Sequence, residues 1–230
     1  FGPAGILGIS SMAIICAVTN SNGSVYYALM QTYGDDIDCA CMPILAINDG
    51  PFLTLVALGA SGLADIPIMS LVAALVPIIA GMILGNLDNK VTEFFGPVGD
   101  AIIPFTGFSL GAGIDLANVL KGGVSGIVLG LITIFIGGGF IYLCDHFIGR
   151  RPGYAAWAVA TTAGNAVAVP AVIGTADPAW AEFVGTATVQ VAASTVLSAL
   201  LVPFIVSWWA KKFGCPKFPK EAKTEKASSK

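Results

Sequence analysis

From Ile66 to Leu87 the chain carries no charged side chain, and from Phe183 to Ala210 it again carries none. A helix needs about 20 consecutive apolar residues to cross a bilayer core, and both stretches meet that length. Only 11% of the 230 residues are charged and 56% are hydrophobic, whereas a soluble domain carries about 25% charged residues. There is too little charge to solvate a globular surface. The apolar runs are continuous rather than alternating, so helices are expected and strands are not. The fold class is therefore an all-α membrane protein.

Seven candidate spans follow, near residues 4–32, 40–60, 66–86, 97–118, 123–147, 154–175 and 181–209. Lys90, Arg150, Arg151 and the seven lysines after Trp209 then fall on one side of the membrane, and Lys121 alone on the other. Cations collect in cytoplasmic loops, so the C-terminus is expected to be cytoplasmic and Phe1 outside. The tail, 211–230, reads as basic, solvated and disordered. The five cysteines form no C-x-x-C pair and read as small packing residues.

The first span is interrupted by VTNSNGS, residues 18–24. Asn22-Gly23-Ser24 fits a glycosylation acceptor, but it falls midway along a span, where a sugar cannot be attached. The stretch reads instead as a break in a membrane helix. Span six contains a second one: Thr161, Thr162, Gly164 and Asn165, followed by Pro170. Each break is followed by a span with a polar residue midway, Asp49 in the first case and Gln190 in the second. Spans one and six run in opposite directions. Two matching interrupted helices of opposite sense predict an inverted repeat, with a substrate site near the midplane. A broken helix leaves backbone groups unpaired, and in a bilayer these must line a cavity or meet other protein groups.

On this plan residues 1–64 hold the last two helices of a first repeat, and 65–210 hold a second five-helix repeat. Three helices are expected to precede Phe1, giving ten spans in all, and the seven-span form is expected not to transport alone.

The stretches SNGSVYYALMQTYGDD (21–36), INDGPFLTLVALGASGLA (47–64), LGNLDNKVTEFF (84–95), IPFTGFSLGAGIDL (103–116) and ATTAGNAVAVPAVIG (160–174) carry a resemblance. Taken in order, they resemble the 2-keto-3-deoxygluconate permease family, within the bile-acid/arsenite/riboflavin transporter superfamily. The resemblance covers nearly the whole chain except the tail. It implies a proton-coupled importer of 2-keto-3-deoxygluconate in a bacterial inner membrane, with two inverted repeats and crossed broken helices. In the family pattern an acidic residue stands three places before the Asn-Gly of the first break; here that place is Thr19.

Such a substrate is a small hydroxylated anion. No Lys or Arg lies mid-span, so its carboxylate must rely on half-helix N-termini and on amide and hydroxyl donors. Asn20, Ser21, Asn22, Thr161, Thr162 and Asn165 are the expected binding residues, with Thr19, Asp115 and Gln190 as secondary candidates. Asp49 is the expected proton carrier: an ionised carboxylate at that depth costs roughly 2.5–3.5 kcal/mol unless it is protonated, paired or wetted. Asp100 could face an inner vestibule. Asp145 and His146, beside Arg150 and Arg151, read as a surface ion-pair cluster.

No cofactor or metal is expected, the proton or alternatively Na⁺ being the coupling ion. Nor is a nucleic-acid partner; the partners are the substrate and the lipid bilayer. His146 is the only histidine, and no nucleophile–base pair lies at depth, so an enzyme is disfavoured. A sodium-coupled organic-anion symporter is the nearest rival, and a channel or a non-transporting receptor are weaker ones.

Overall fold

The computed structural model describes residues 5–48, 50–95, 97, 108 and 123–219. Among these the chain is helical, and its only β-pairs are isolated bridges in two tight turns, Ile6–Ile9 and Cys215–Phe218. Three helices are long and apolar enough to cross a membrane. The protein is an all-α membrane protein.

The first span is divided into α1 (Ser11–Val18) and α2 (Gly23–Tyr33). The short α3 (Asp36–Ala40) follows, opened by a capping box between Asp35 and Asp38. The second span is also divided, into α4 (Met42–Asn48) and α5 (Pro51–Ala60). The sequence predicts a single span over 40–60. Gly50 is fully extended and Pro51 opens the next helix; a Pro at the first helical position gives up no hydrogen bond there, so the chain restarts rather than bends. The third span is α6 (Ile68–Leu87). Of the candidate span 97–118 only residues 97 and 108 are described; Asp100 and Asp115 lie outside the described residues.

The fifth span, α7 (Gly123–Phe147), is long and apolar and contains a π-helical segment, Ile132–Gly137. The sixth is divided like the first: α8 (Tyr154–Val159), an irregular stretch, a 3₁₀ turn (Asn165–Ala168), then α9 (Val169–Ala176). The seventh opens with a 3₁₀ turn (Pro178–Phe183) and continues as α10 (Val184–Phe213).

The largest packing surface joins α7 to α10. It depends on missing side chains. A Cβ on Gly126 would lie 2.5 Å from the Ala193 Cβ, and one on Gly130 would lie 2.9 Å from Leu197 Cδ2. Two glycines four residues apart lie on one helix face, and small residues let membrane helices approach closely where lipid offers no hydrophobic drive to associate. By contrast, α6 presents Ile68, Val72, Val76, Ile79 and Ile83 outward. Those residues make sense against lipid.

Buried apolar residues form two clusters. One gathers Ile9, Met12, Leu55, Val169, Ile173 and Val191 from α1 and the turn before it, α5, α9 and the first half of α10. The other gathers Tyr26, Met30, Tyr154, Ala158, Val202 and Val206 from α2, α8 and the second half of α10. The two polar breaks lie between the halves that build these clusters. The helix extends past the predicted start of the tail to Phe213, and the Lys217 ammonium then donates to the Gln31 carbonyl. The first tail residues are thus packed on the end of α2, not free. Phe218, half-exposed, also sets its ring against Tyr33, centroids 6.0 Å apart. Residues 220–230 lie outside the described residues.

Candidate functional site

The two interrupted segments run antiparallel: α2 packs on α8, and α1 on α9. Where they meet, the breaks bond to each other. The Asn22 N–H donates to the Thr161 hydroxyl at 2.8 Å, and the Ala163 N–H donates to the Asn20 carbonyl at 2.9 Å. Backbone groups released by each break are thus partly satisfied by the other, as burial away from water requires.

Each break is also tied to the helix that follows it. In the first, the Asn20 amide donates to the Thr54 hydroxyl at 2.8 Å and to the Cys16 carbonyl at 2.9 Å. Its Oδ1 accepts the Gly50 N–H at 3.1 Å. The Thr19 and Thr54 hydroxyls are 2.6 Å apart, and Asn48 donates to Ser21 Oγ at 2.7 Å. Asn22 caps α2, its Oδ1 accepting the Val25 N–H at 3.0 Å. In the second, the Thr162 N–H donates to Ser198 Oγ at 2.9 Å and the Thr162 and Ser194 hydroxyls are 2.8 Å apart. The Thr195 hydroxyl donates to the Ala163 carbonyl at 3.1 Å.

Asn20, Ser21, Thr161 and Thr162 are buried, with Thr54, Ser194 and Ser198 beside them. Asn22 and Asn165 are half-buried. The result is a layer of amides and hydroxyls between two apolar clusters. These groups both donate and accept, so the layer can exchange its internal hydrogen bonds for those of a hydroxylated solute.

The predicted residues Asn20, Ser21, Asn22, Thr161 and Thr162 are brought together by these bonds, and Thr19 joins them through Thr54. Gln190 is not among them. Its Oε1 accepts the Ser10 N–H at 2.9 Å, and its amide donates to the Gly8 carbonyl at 2.8 Å and to Ser125 Oγ at 3.1 Å, so it ties α10 to the turn before α1 and to α7. Asp49 and Asp115 lie outside the described residues; Asn48 and Gly50, which flank Asp49, both bond to the first break. Thr54, Ser194 and Ser198 were missed. Single hydroxyls in apolar helices have no local signature, although each trails its break by a similar interval.

The predicted surface cluster of Asp145, His146, Arg150 and Arg151 is corrected. Arg151 pairs with Asp38, which is 1% exposed, and the His146 ring stacks on Tyr142. The Tyr154 hydroxyl donates to Asp38 Oδ2 at 2.6 Å, and Arg151 Nη2 donates to the Tyr154 oxygen at 3.2 Å. A guanidinium goes where a buried carboxylate needs it, and Asp38 is the more buried acid. Burial works against the Arg151 charge, but its bond to Tyr154 and the Asp38 carboxylate more than offset this and raise its pKa above the ordinary value. At the head of α3, the Asp38 N–H holds the exposed Asp35 carboxyl below its usual range. Among the described residues no group of three or more His, Cys, Asp or Glu could hold a metal.

No solved structure matches this chain. A family model described as 2-keto-3-deoxygluconate permease matches residues 1–215. A 2-keto-3-deoxygluconate permease 1 of Salmonella typhimurium is 50% identical over 212 residues, 92% of this chain and 67% of the relative. The permeases of that name from Xanthomonas euvesicatoria and Bacillus subtilis are 38% and 37% identical, over 91% and 89% of this chain and 66% and 62% of their own. The chain thus spans about two thirds of the length of these relatives. With half its residues shared across nearly all of its length, it belongs to the 2-keto-3-deoxygluconate permease family.

Proposed function

We propose that the protein is a secondary active transporter that imports 2-keto-3-deoxygluconate across a bacterial inner membrane by proton symport, with its C-terminus in the cytoplasm. One observation carries the transport reading: two antiparallel interrupted helices hydrogen-bond to each other at their breaks. Paired broken helices of opposite sense are the arrangement that secondary transporters use to bind solute at the midplane of an inverted repeat. The substrate comes from the relatives' name, and the hydroxyl and amide layer suits a hydroxylated sugar acid.

Asp49 is the proposed proton carrier. Its two chain neighbours bond to Ser21 and Asn20, which supports coupling between this position and the first break. Uptake of labelled 2-keto-3-deoxygluconate into proteoliposomes tests the reading, with an imposed pH gradient compared against a sodium gradient. Uptake driven by pH and lost in Asp49→Asn is expected. Uptake driven only by sodium would replace the coupling ion, and no uptake under either gradient would refute the substrate.

A further inference from the structure

Asp38, Arg151 and Tyr154 stand apart from the breaks, at the far ends of α2 and α8. Arg151 belongs to the walls of two cavities. One, of about 320 Å³, is also walled by Asp38, Cys144, Asp145 and Val159; Val159 ends α8, immediately before the second break. The other, of about 520 Å³, is walled by Tyr154, Pro152, Phe213 and Cys215, at the start of the tail. The ion-paired cluster is therefore a partition between a space reaching toward the breaks and one at the tail.

The first cavity has a specific chemistry. Its walls are mostly apolar, with the Arg151 guanidinium, the Asp38 and Asp145 carboxyls and Tyr26 as the polar exceptions. Asp145 Oδ2 is buried there with no hydrogen-bond partner among the described residues. An ionised carboxylate only accepts hydrogen bonds, so Asp145 suits hydroxyl donors. A guanidinium fork suits a carboxylate. A solute carrying one carboxylate and several hydroxyls matches both. The Arg151 fork is occupied by Asp38, and withdrawing Asp38 alone would leave a part-buried charge unpaired, which is strongly unfavourable. An incoming carboxylate restores the pair.

We propose that Arg151 is a specificity residue at the inner end of the path, paired with Asp38 when the path is closed and with the carboxylate of a hydroxylated organic acid when it is open. Asp145 receives the hydroxyls of that acid. The cluster is thus a gate opened by exchange of carboxylates. This rests on the transport reading above.

Equilibrium binding of labelled 2-keto-3-deoxygluconate to the purified protein tests it. Asp38→Asn removes the internal competitor and should tighten binding by about threefold or more. Arg151→Gln should weaken it by about tenfold or more. A pair that only holds the fold predicts that both variants weaken together, and an unrelated pair predicts no change; either result overturns the proposal. If Asp38→Asn does not fold, the double variant Asp38→Asn/Arg151→Gln leaves no unpaired ion and should bind as weakly as Arg151→Gln; wild-type affinity in it overturns the proposal.

A second measurement needs no substrate. With Cys144 as the sole cysteine, an impermeant methanethiosulfonate reagent added from the tail side should label the double variant several times faster than the intact pair. If the wild type binds no 2-keto-3-deoxygluconate, the substrate reading fails and this rate decides the gate: equal rates overturn it.

Discussion

The Asn22 backbone N–H and the Thr161 hydroxyl, 139 positions apart in the chain, lie 2.8 Å from each other. That bond fixes the break in one antiparallel segment against the break in the other. Thr161→Val keeps the shape and removes the acceptor. A buried donor left unpaired costs about 1–3 kcal/mol, so thermal unfolding in detergent should shift down and uptake should fall. Thr161→Ser should restore both.

Thr54 receives the Asn20 amide and contacts the Thr19 hydroxyl. Thr54→Val should leave the Asn20 amide with the Cys16 carbonyl and only a longer, 3.2 Å bond to the Thr19 hydroxyl, and let its side chain turn. The expected result is a rise in KM of roughly tenfold, for a loss near 1.4 kcal/mol, with the protein still folded. An unchanged KM would remove Asn20 from the binding layer.

Gln190 offers a contrasting case. Its bonds run to Gly8, Ser10 and Ser125, away from the breaks. Gln190→Leu should lower the melting temperature through loss of three hydrogen bonds, about 1 kcal/mol each, and leave KM unchanged. A shift in KM at constant stability would assign it to the substrate instead.

The α7–α10 contact is sensitive to bulk. Gly126→Val places atoms against Ala193 and the Gln190 carbonyl, 3.0 Å from even a single added carbon. Overpacking of this kind costs typically 1–3 kcal/mol, and backbone cannot move aside, so the folded yield should drop sharply. Gly130→Ala meets mainly the flexible end of Leu197 and should be milder. Size-exclusion profiles of the two variants would rank them.

The breaks were legible in the sequence because VTNSNGS and TTAGN put polar, small residues inside runs that must otherwise be apolar. The lipid solvent makes such an interruption conspicuous. The second span's interruption was not legible: a Gly-Pro pair suits a bend as well as a break, and the N–H of the extended Gly50 that separates α4 from α5 is captured by Asn20, 30 positions away. The Asp38–Arg151 pair was not legible. Asp145 is the acid nearest Arg151 in sequence, and the choice of Asp38 instead is made by tertiary burial, across 113 positions. Gln190 matched the break pattern by spacing alone, and spacing along a helix does not say which end of the bundle a side chain serves.

The bonded breaks have a mechanical consequence. Two rods tied at their middles can only pivot there, so motion must grow with distance from the tie. The α2 arm has 11 residues, a lever of about 16 Å at roughly 1.5 Å per residue. A swing of about 15°, of the size seen in switching proteins, carries the far end of such an arm by about 4 Å. Asp38 lies in α3, just beyond that end, and its carbonyl accepts the Tyr26 hydroxyl of α2, so a displacement of that size is what the proposed exchange of partners at Arg151 requires, with the hydrogen bonds at the fulcrum intact.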